Sequence, residues 1–333
     1  MGNICSRGMK CPRRLSDLDA VCSCRLLLLL PNSTRPQQIE LPALHDSDPV
    51  LALVAAGGVQ VASAGEDKSL CLWNCLDGNV IQKWQGAHQK TVLRLACLSN
   101  EQLLATGARD GTMKLWKPGK DGPLVELGRH RLPVGGLAML EESRQIASGS
   151  RDYTVRISDL TTSQQVAEQS VSRNVVTWIR WIPGEEAIAQ SSEDLHIYVW
   201  DARTLKVAQT FLDMEHIPHC LDCSPDGTLL VSSHNGFGGE GCEVMVWDRR
   251  QGRLLQRLKG HMESVNACVF LPGQQHAGPR VVSGAKDGTL RLWDINSGAC
   301  ISTDAFPGGQ CTALDLVGRG SSHSNGGGAP AEW

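Results

Sequence analysis

Serine, histidine and aspartate recur along this 333-residue chain at a spacing that invites a catalytic reading. His45, His88 and His130 each stand 22 residues ahead of an aspartate (Asp67, Asp110 and Asp152), with Ser63, Thr106 and Ser148 between them. His261, Ser283 and Asp287 follow in the same order. A hydroxyl beside an imidazole that a carboxylate orients is the arrangement of nucleophilic acyl transfer. Two features weigh against that chemistry. The set is repeated, where a hydrolase needs one copy, and no nucleophile elbow accompanies any of the hydroxyls.

Other motifs carry less. Cys220 and Cys223 form a C-x-x-C, but without the βαβ setting of a redox pair. Residues 236–241 match G-x-G-x-x-G, yet they fall between two strand patterns instead of opening a helix. They read as a long turn. Cys11, Cys22 and Cys24 lack histidines at zinc-ligand spacing. No catalytic residue, cofactor or metal is expected.

The elements that carry these residues form a repeat. Residues 281–295, V-V-S-G-A-K-D-G-T-L-R-L-W-D-I, read as two strands joined by a tight turn, with Gly where positive φ is needed. Related stretches begin near residues 63, 106, 148, 190 and 243, and their aromatic position falls at Trp73, Trp116, Ser158, Trp200, Trp247 and Trp293, at intervals of 42 to 47 residues. A period near 40–45 with a Trp-Asp signature means four-stranded propeller blades. The sequence resembles the WD-repeat family over roughly residues 46–317. The expected fold is an all-β WD-repeat β-propeller with six recognisable repeats (46–84, 85–127, 128–168, 170–211, 216–258, 259–301) and a partial seventh blade at 311–317.

The resemblance gives the polar sets another role, a buried relay from Trp indole to hydroxyl to His to Asp. Complete sets are His45/Ser63/Asp67/Trp73, His88/Thr106/Asp110/Trp116 and His261/Ser283/Asp287/Trp293. The third repeat has Ser158 in place of Trp. The fourth keeps Asp194 and Trp200, with Ser172 and Gln190 at the other places. The fifth has Trp247, and Gly241 where Asp is expected.

The domain organisation expected is a flexible N-terminal segment (1–37), the propeller (38–317) and a Gly/Ser-rich disordered tail (318–333). Residues 25–30 and 39–44 are candidate strands for closing the ring; otherwise the ring is open and exposes strand edges. The N-terminus, M-G-N-I-C-S, matches the myristoylation pattern, with Gly2 as acceptor and Ser6 in place. One acyl chain anchors only marginally, so Cys5 is a palmitoylation candidate, and Arg7, Lys10, Arg13 and Arg14 could attract anionic lipid. The apolar run 26–30 is too short for a signal peptide or a bilayer span. Thirteen cysteines then imply reduced thiols in the cytosol. A net charge of −3 gives no support for nucleic-acid binding.

In propellers the residue before the turn Asp faces the top of the ring. Here these are Glu66, Arg109, Arg151, Glu193 and Lys286. With Arg129, Arg131 and Arg173, the arginines form a candidate basic sector over the second to fourth blades, suited to an acidic protein segment. Two stretches, 171–183 and 235–248, resemble more closely an animal branch of the family with the same Gly-rich fifth repeat. That resemblance implies a non-catalytic scaffold of cilium assembly and intraflagellar transport, at the cytoplasmic face of membranes and beside small-GTPase regulators. The competing expectation is a soluble WD-repeat substrate receptor of a ubiquitin ligase or another cytosolic complex.

Overall fold

In the computed structural model, the residues described are 25–28, 37–40, 45, 48–171, 173–212, 214–271, 278–305 and 311–315. Strands β1 (Arg25–Leu28) and β2 (Gln37–Glu40) pair antiparallel. Six four-stranded antiparallel blades follow. The first holds β3 (Val50–Gly57), β4 (Gln60–Gly65), β5 (Leu70–Asn74) and β6 (Val80–Trp84). The second holds β7 (Val92–Leu98), β8 (Leu103–Ala108), β9 (Thr112–Trp116) and β10 (Val125–Arg129). The third holds β11 (Val134–Leu140), β12 (Gln145–Ser150), β13 (Thr154–Asp159) and β14 (Gln165–Ser170). The fourth holds β15 (Val176–Trp181), β16 (Ala187–Ser192), β17 (Ile197–Asp201) and β18 (Lys206–Phe211). The fifth holds β19 (Pro218–Cys223), β20 (Leu229–His234), β21 (Glu243–Asp248) and β22 (Arg253–Lys259). The sixth holds β23 (Val265–Leu271), β24 (Arg280–Ala285), β25 (Thr289–Asp294) and β26 (Cys300–Ala305).

Within each blade the chain runs from the inner strand outwards, strand by strand, so every ladder joins sequence neighbours. The inner strand of each blade carries a bulge near its start, as at Val50/Ala52 and Val265/Ala267. A bulge increases local twist, which a blade needs to fan out from an axis. The core lies between the blades. Trp116 packs with Leu70 and Leu72 of the preceding blade, Trp247 with Val199 and Phe211, and Trp293 with Val231 and Val246. Ser158 leaves the corresponding interface without an indole, and Met113, Met139 and Leu160 lie there.

Residues 311–315 follow the sixth blade as an extended segment, and their contacts place them in the ring. The second residue of one inner strand donates to the first carbonyl of the next. Thr177 bonds Pro218 O at 2.7 Å, Asn266 bonds Cys311 O at 2.8 Å, and Thr312 bonds Val50 O at 2.5 Å. The fifth residue accepts from the sixth amide of the next: Phe270 N to Asp222 at 2.8 Å, and Ala55 N to Asp315 at 2.9 Å. Residues 311–315 therefore stand as a seventh inner strand between the sixth and first blades. Closure through β1 and β2, the other expectation, is not seen among the described residues, where those strands pair only with each other.

One further tie crosses three blades. Arg94 on β7 donates to Gly135 O at 2.7 Å on β11 and to Thr177 O at 2.8 Å on β15, and its guanidinium lies 4.4 Å from the Trp178 ring centre. Gly135 and Gly136 make this reach possible, since a Cβ at Gly136 would fall 2.7 Å from Ile179 N.

Asp222 is buried, takes the Arg180 Nε ion pair at 2.8 Å and accepts the Phe270 amide. Replacing it by Ala strands a cation and an N–H. The expected loss is about 3 kcal/mol, read as a lower urea midpoint, whereas the exposed-turn change Asp77→Ala costs under about 1 kcal/mol. Equal losses would contradict the clasp.

Candidate protein-interaction face and the relays that hold it

The relays form in the structure. In the first blade His45 Nε2 lies 2.9 Å from Ser63 Oγ and Nδ1 2.9 Å from Asp67, while Trp73 Nε1 donates to Ser63 at 3.2 Å. In the sixth, the distances are 2.7 Å from His261 to Ser283, 3.1 Å from His261 to Asp287, and 2.8 Å from Trp293 to Ser283. The second blade differs in one link. His88 reaches Thr106 at 2.6 Å, and Trp116 donates to Thr106 at 2.9 Å. Asp110 lies 3.8 Å from the ring, so Thr112 connects them, 2.7 Å from His88 and 2.5 Å from Asp110. In the third, His130 bonds Ser148 at 2.9 Å and Asp152 at 3.1 Å.

The two degenerate repeats solve the same problem with other residues. Trp200 donates to Gln190 Oε1 at 2.8 Å, and buried Asn174 completes the pair from the preceding loop. Ser172 lies outside the described residues. In the fifth blade Trp247 donates to Ser232 at 2.9 Å, Ser232 meets His234 at 2.8 Å, and His234 Nδ1 faces His216 O at 3.0 Å. The imidazole thus comes from the same strand as the hydroxyl. At Gly241, a Cβ would run into the His216 ring. Sequence reading missed Asn174 and His234 because neither stands at the spacing of the His it replaces.

Burial settles the catalytic question for these sets. Ser63, Thr106 and Ser283 are each 0% exposed and are bonded to the Trp indole, so no substrate carbonyl reaches them. Burial, then the charge of Lys114, pulls His88 down to about 4, and burial does the same to His234. At Asp110 burial pushes the other way, but the Thr112 hydroxyl and amide hold its carboxyl below the usual range. Burial likewise opposes, and hydrogen bonds from Met262 and Thr289 outweigh it, at Asp287.

The carboxylates also fix the loops above them. Asp110 accepts Gln89 N at 3.0 Å, Asp152 accepts Arg131 N at 2.9 Å, and Asp287 accepts Met262 N at 2.9 Å. Each turn residue bonds back to the segment before the inner strand. Examples are Arg109 N to Thr91 O at 2.8 Å and Glu193 N to Val175 O at 2.9 Å. The turn tips and inter-blade loops therefore form one rigid face.

On that face Arg109, Arg129, Arg131, Arg151 and Arg173 are all exposed, as are Glu66 and Lys286. Arg151 is engaged, 3.1 Å from Glu193 of the next blade. Two apolar residues that sequence reading missed sit among them, Leu132 (48% exposed) and Tyr153 (45% exposed). Their backbones join the sector. Ser150 Oγ donates to Leu132 O at 3.0 Å, and Val171 N donates to Tyr153 O at 3.1 Å, next to the loop that holds Arg173. These arginines and the two apolar residues are thus exposed on loops of the second to fourth blades. A second exposed pair, Phe237 and Met262, stands on the Gly-rich hairpin and the loop beside it, tied by Gly239 N to Met262 O at 3.0 Å. Gly2 and Cys5 lie outside the described residues. Cys220 and Cys223 are buried, and burial pushes the Cys223 thiol up to about 12, against redox use.

A family model described as WD domain, G-beta repeat matches residues 78–117, 210–248 and 252–294. Nuclear distribution protein PAC1 of Arthroderma otae is 27% identical over 137 residues, 39% of this chain and 29% of that protein. Nuclear distribution protein nudF 1 of Talaromyces marneffei is 27% identical over 136 residues, 39% and 27% of the two chains. Striatin-3 of Mus musculus is 23% identical over 244 residues, 67% of this chain and 30% of that protein. The chain spans less than a third of the length of each of these relatives.

The histidines set an acid limit on the fold. His88 and His234 titrate near 4 in the folded chain and near 6.5 once unfolded. The unfolded state therefore binds more protons between those values, and stability falls as pH drops from 6.5 to 4. Each histidine withdraws up to about 3 kcal/mol over that window. Urea midpoints at pH 7.5 and 4.5 measure the loss, and His88→Asn should flatten the slope. A pH-independent midpoint would contradict the buried neutral imidazoles.

Proposed function

We propose that this chain, a WD-repeat β-propeller, is a non-catalytic scaffold that seats an acidic segment of a partner protein across its second to fourth blades while a lipid holds it to a membrane. WD repeats make it a protein-interaction scaffold. The observation that supports the finer reading is the joint exposure of Arg109, Arg131, Leu132, Tyr153 and Arg173 on loops of the second to fourth blades, whose backbone the relays tie down. Arginine grips carboxylates in a planar fork, and an exposed Tyr and Leu supply apolar contact, the composition of interface hot spots. Rigidity lowers the ordering cost of binding. An enzymatic reading has no support in the polar sets, whose hydroxyls are consumed by the Trp relays.

The membrane part of the proposal rests on M-G-N-I-C-S, with Gly2 and Cys5 as the two acyl sites and the basic residues that follow as a lipid-facing charge. The setting in cilium assembly, beside small-GTPase regulators, rests on the resemblance of residues 171–183 and 235–248.

Two substitutions separate the parts. Gly2→Ala should abolish alkynyl-myristate labelling and move the protein to the soluble fraction of ciliated cells. Arg109→Glu with Arg131→Glu should keep labelling and stability but weaken binding of an acidic partner at least about tenfold, with a salt dependence that the variant loses. Arg253→Glu on the outer strand β22 serves as the matched control. Unchanged partners in the double variant would remove the basic face from the proposal, and absent labelling would remove the anchor.

A further inference from the structure

Phe237 is 80% exposed, more than any other large apolar side chain among the described residues, and Met262 beside it is 58% exposed. The backbone that carries them is held in place. Phe237 N donates to Glu240 O at 2.9 Å, and Glu240 N returns a bond to Phe237 O at 3.1 Å. Together they close a turn through Gly238 and Gly239, whose φ values of 61° and 89° suit glycine. Gly239 N donates to Met262 O at 3.0 Å, and Phe237 also bridges Glu263. An aromatic ring and a thioether side by side on an ordered turn make the apolar centre of a contact.

The charge around this pair decides what it can hold. Glu240 and Glu263 flank Phe237 through the two bridges, and Glu215 precedes His216, whose ring lies against Gly241. The cations nearest in sequence, Arg257 and Lys259, are turned to Glu243, at 2.5 and 3.9 Å. Lys286 stands on the adjoining turn, bonded through its amide to Ser264 O. The other exposed apolar pair, Leu132 and Tyr153, has Arg131, Arg151 and Arg173 around it and would repel a cation. The hairpin of the fifth blade therefore suits a basic segment with an apolar residue in it.

This chain carries such a segment. Residues 1–16 contain no Asp or Glu, and Arg7, Met9, Lys10, Arg13, Arg14 and Leu15 lie among them. It is within reach. Arg25 pairs with Glu40, so β1 and β2 return the chain to where it left. Fourteen residues outside those strands then separate Arg14 from His45. Extended at about 3.3 Å per residue, they span roughly 45 Å. His45 is fixed over the first blade by Asp67. The fifth blade is three places away around the ring by way of residues 311–315, at about 10 Å for each packed face. A tethered segment also meets its site at an effective concentration of order millimolar, above that of a free partner.

We propose that residues 7–15 dock on this hairpin within the same chain, with Met9 against Phe237 and Met262 and with Arg7 and Lys10 on either side against Glu240 and Glu263. The same basic residues carry the lipid-facing charge proposed above, so the hairpin and an anionic membrane compete for them. Docked, the segment is withheld from lipid; at an anionic surface it leaves the hairpin, and Phe237 and Met262 become free. This competition rests on the lipid-anchor reading, whereas the docking needs no acyl chain.

Carbodiimide joins a lysine to a carboxylate only where the two touch. In the unacylated full chain it should link Lys10 to Glu240 and Glu263, read by peptide mass spectrometry. In a mixture of ordinary and heavy-isotope chains, the links should fall within one chain. Phe237→Ser with Met262→Ser, and separately Arg7→Glu, should lower the yield at least about fivefold. Leu132→Ser with Tyr153→Ser should leave it unchanged, which keeps the test independent of the basic face. Each variant has its urea midpoint measured to verify folding. In the acylated chain, vesicles containing phosphatidylserine should remove the links, and phosphatidylcholine vesicles should not. No links, links only between chains, which would identify a second copy as occupant, or a yield indifferent to Phe237→Ser with Met262→Ser overturns the docking. Links that persist on anionic vesicles overturn the competition. Absent myristate labelling with the links intact removes the anchor and supports the docking by itself.

Discussion

A four-stranded blade has two apolar faces and can bury neither alone. Everything else in this chain follows from that constraint. Faces can be covered only by other blades, so the apolar residues of each strand point to neighbours on both sides, and the large Trp side chains sit between blades. The indole brings a polar N–H into that apolar layer. A buried donor without an acceptor costs about 1–3 kcal/mol, and the hydroxyl or amide ten to fifteen residues earlier supplies one in each of the five blades that carry a Trp. A histidine then meets the hydroxyl in four of them, and the carboxylates Asp110 and Asp287, like Asp152 of the blade without a Trp, satisfy loop amides. Core packing and loop rigidity are thus one network.

The network tolerates exchange of its members as long as every polar atom keeps a partner. Asn174 and Gln190 stand in for His and Ser. His234 takes the Ser232 hydroxyl from two residues further along the same strand, and Ser158 dispenses with the indole altogether while methionine and leucine occupy that interface. These are not signs of a weaker blade. They are three solutions to one satisfaction problem, and each leaves a different set of side chains on the face above.

Most of the fold was legible in the sequence. The Trp interval gave the blade count, and the His-to-Asp spacing located the relays, because both follow from strand length and turn type. The exposure of Arg109 and Arg151 was legible from the turn position. What was not legible depended on non-local packing. Leu132 and Tyr153 look in sequence like core residues, and only the loop geometry puts them in solvent. Asn174 and His234 occupy relay positions by proximity in space. The place of residues 311–315 could be guessed from C-T-A-L-D, but their role in the ring is fixed by bonds to residues some 260 positions away.

Those bonds bear on the order of events in folding. Every blade ladder joins neighbours in sequence, so each meander can form as its own forty-odd residues become available. The bonds from Thr312 to Val50 and from Ala55 to Asp315 are the opposite case, spanning nearly the whole ring. The entropy of bringing its ends together is taken once and grows only slowly with length. A chain emerging from the ribosome therefore assembles its arc one blade at a time, and the first blade waits with one flank uncovered until residue 315 has left the exit tunnel.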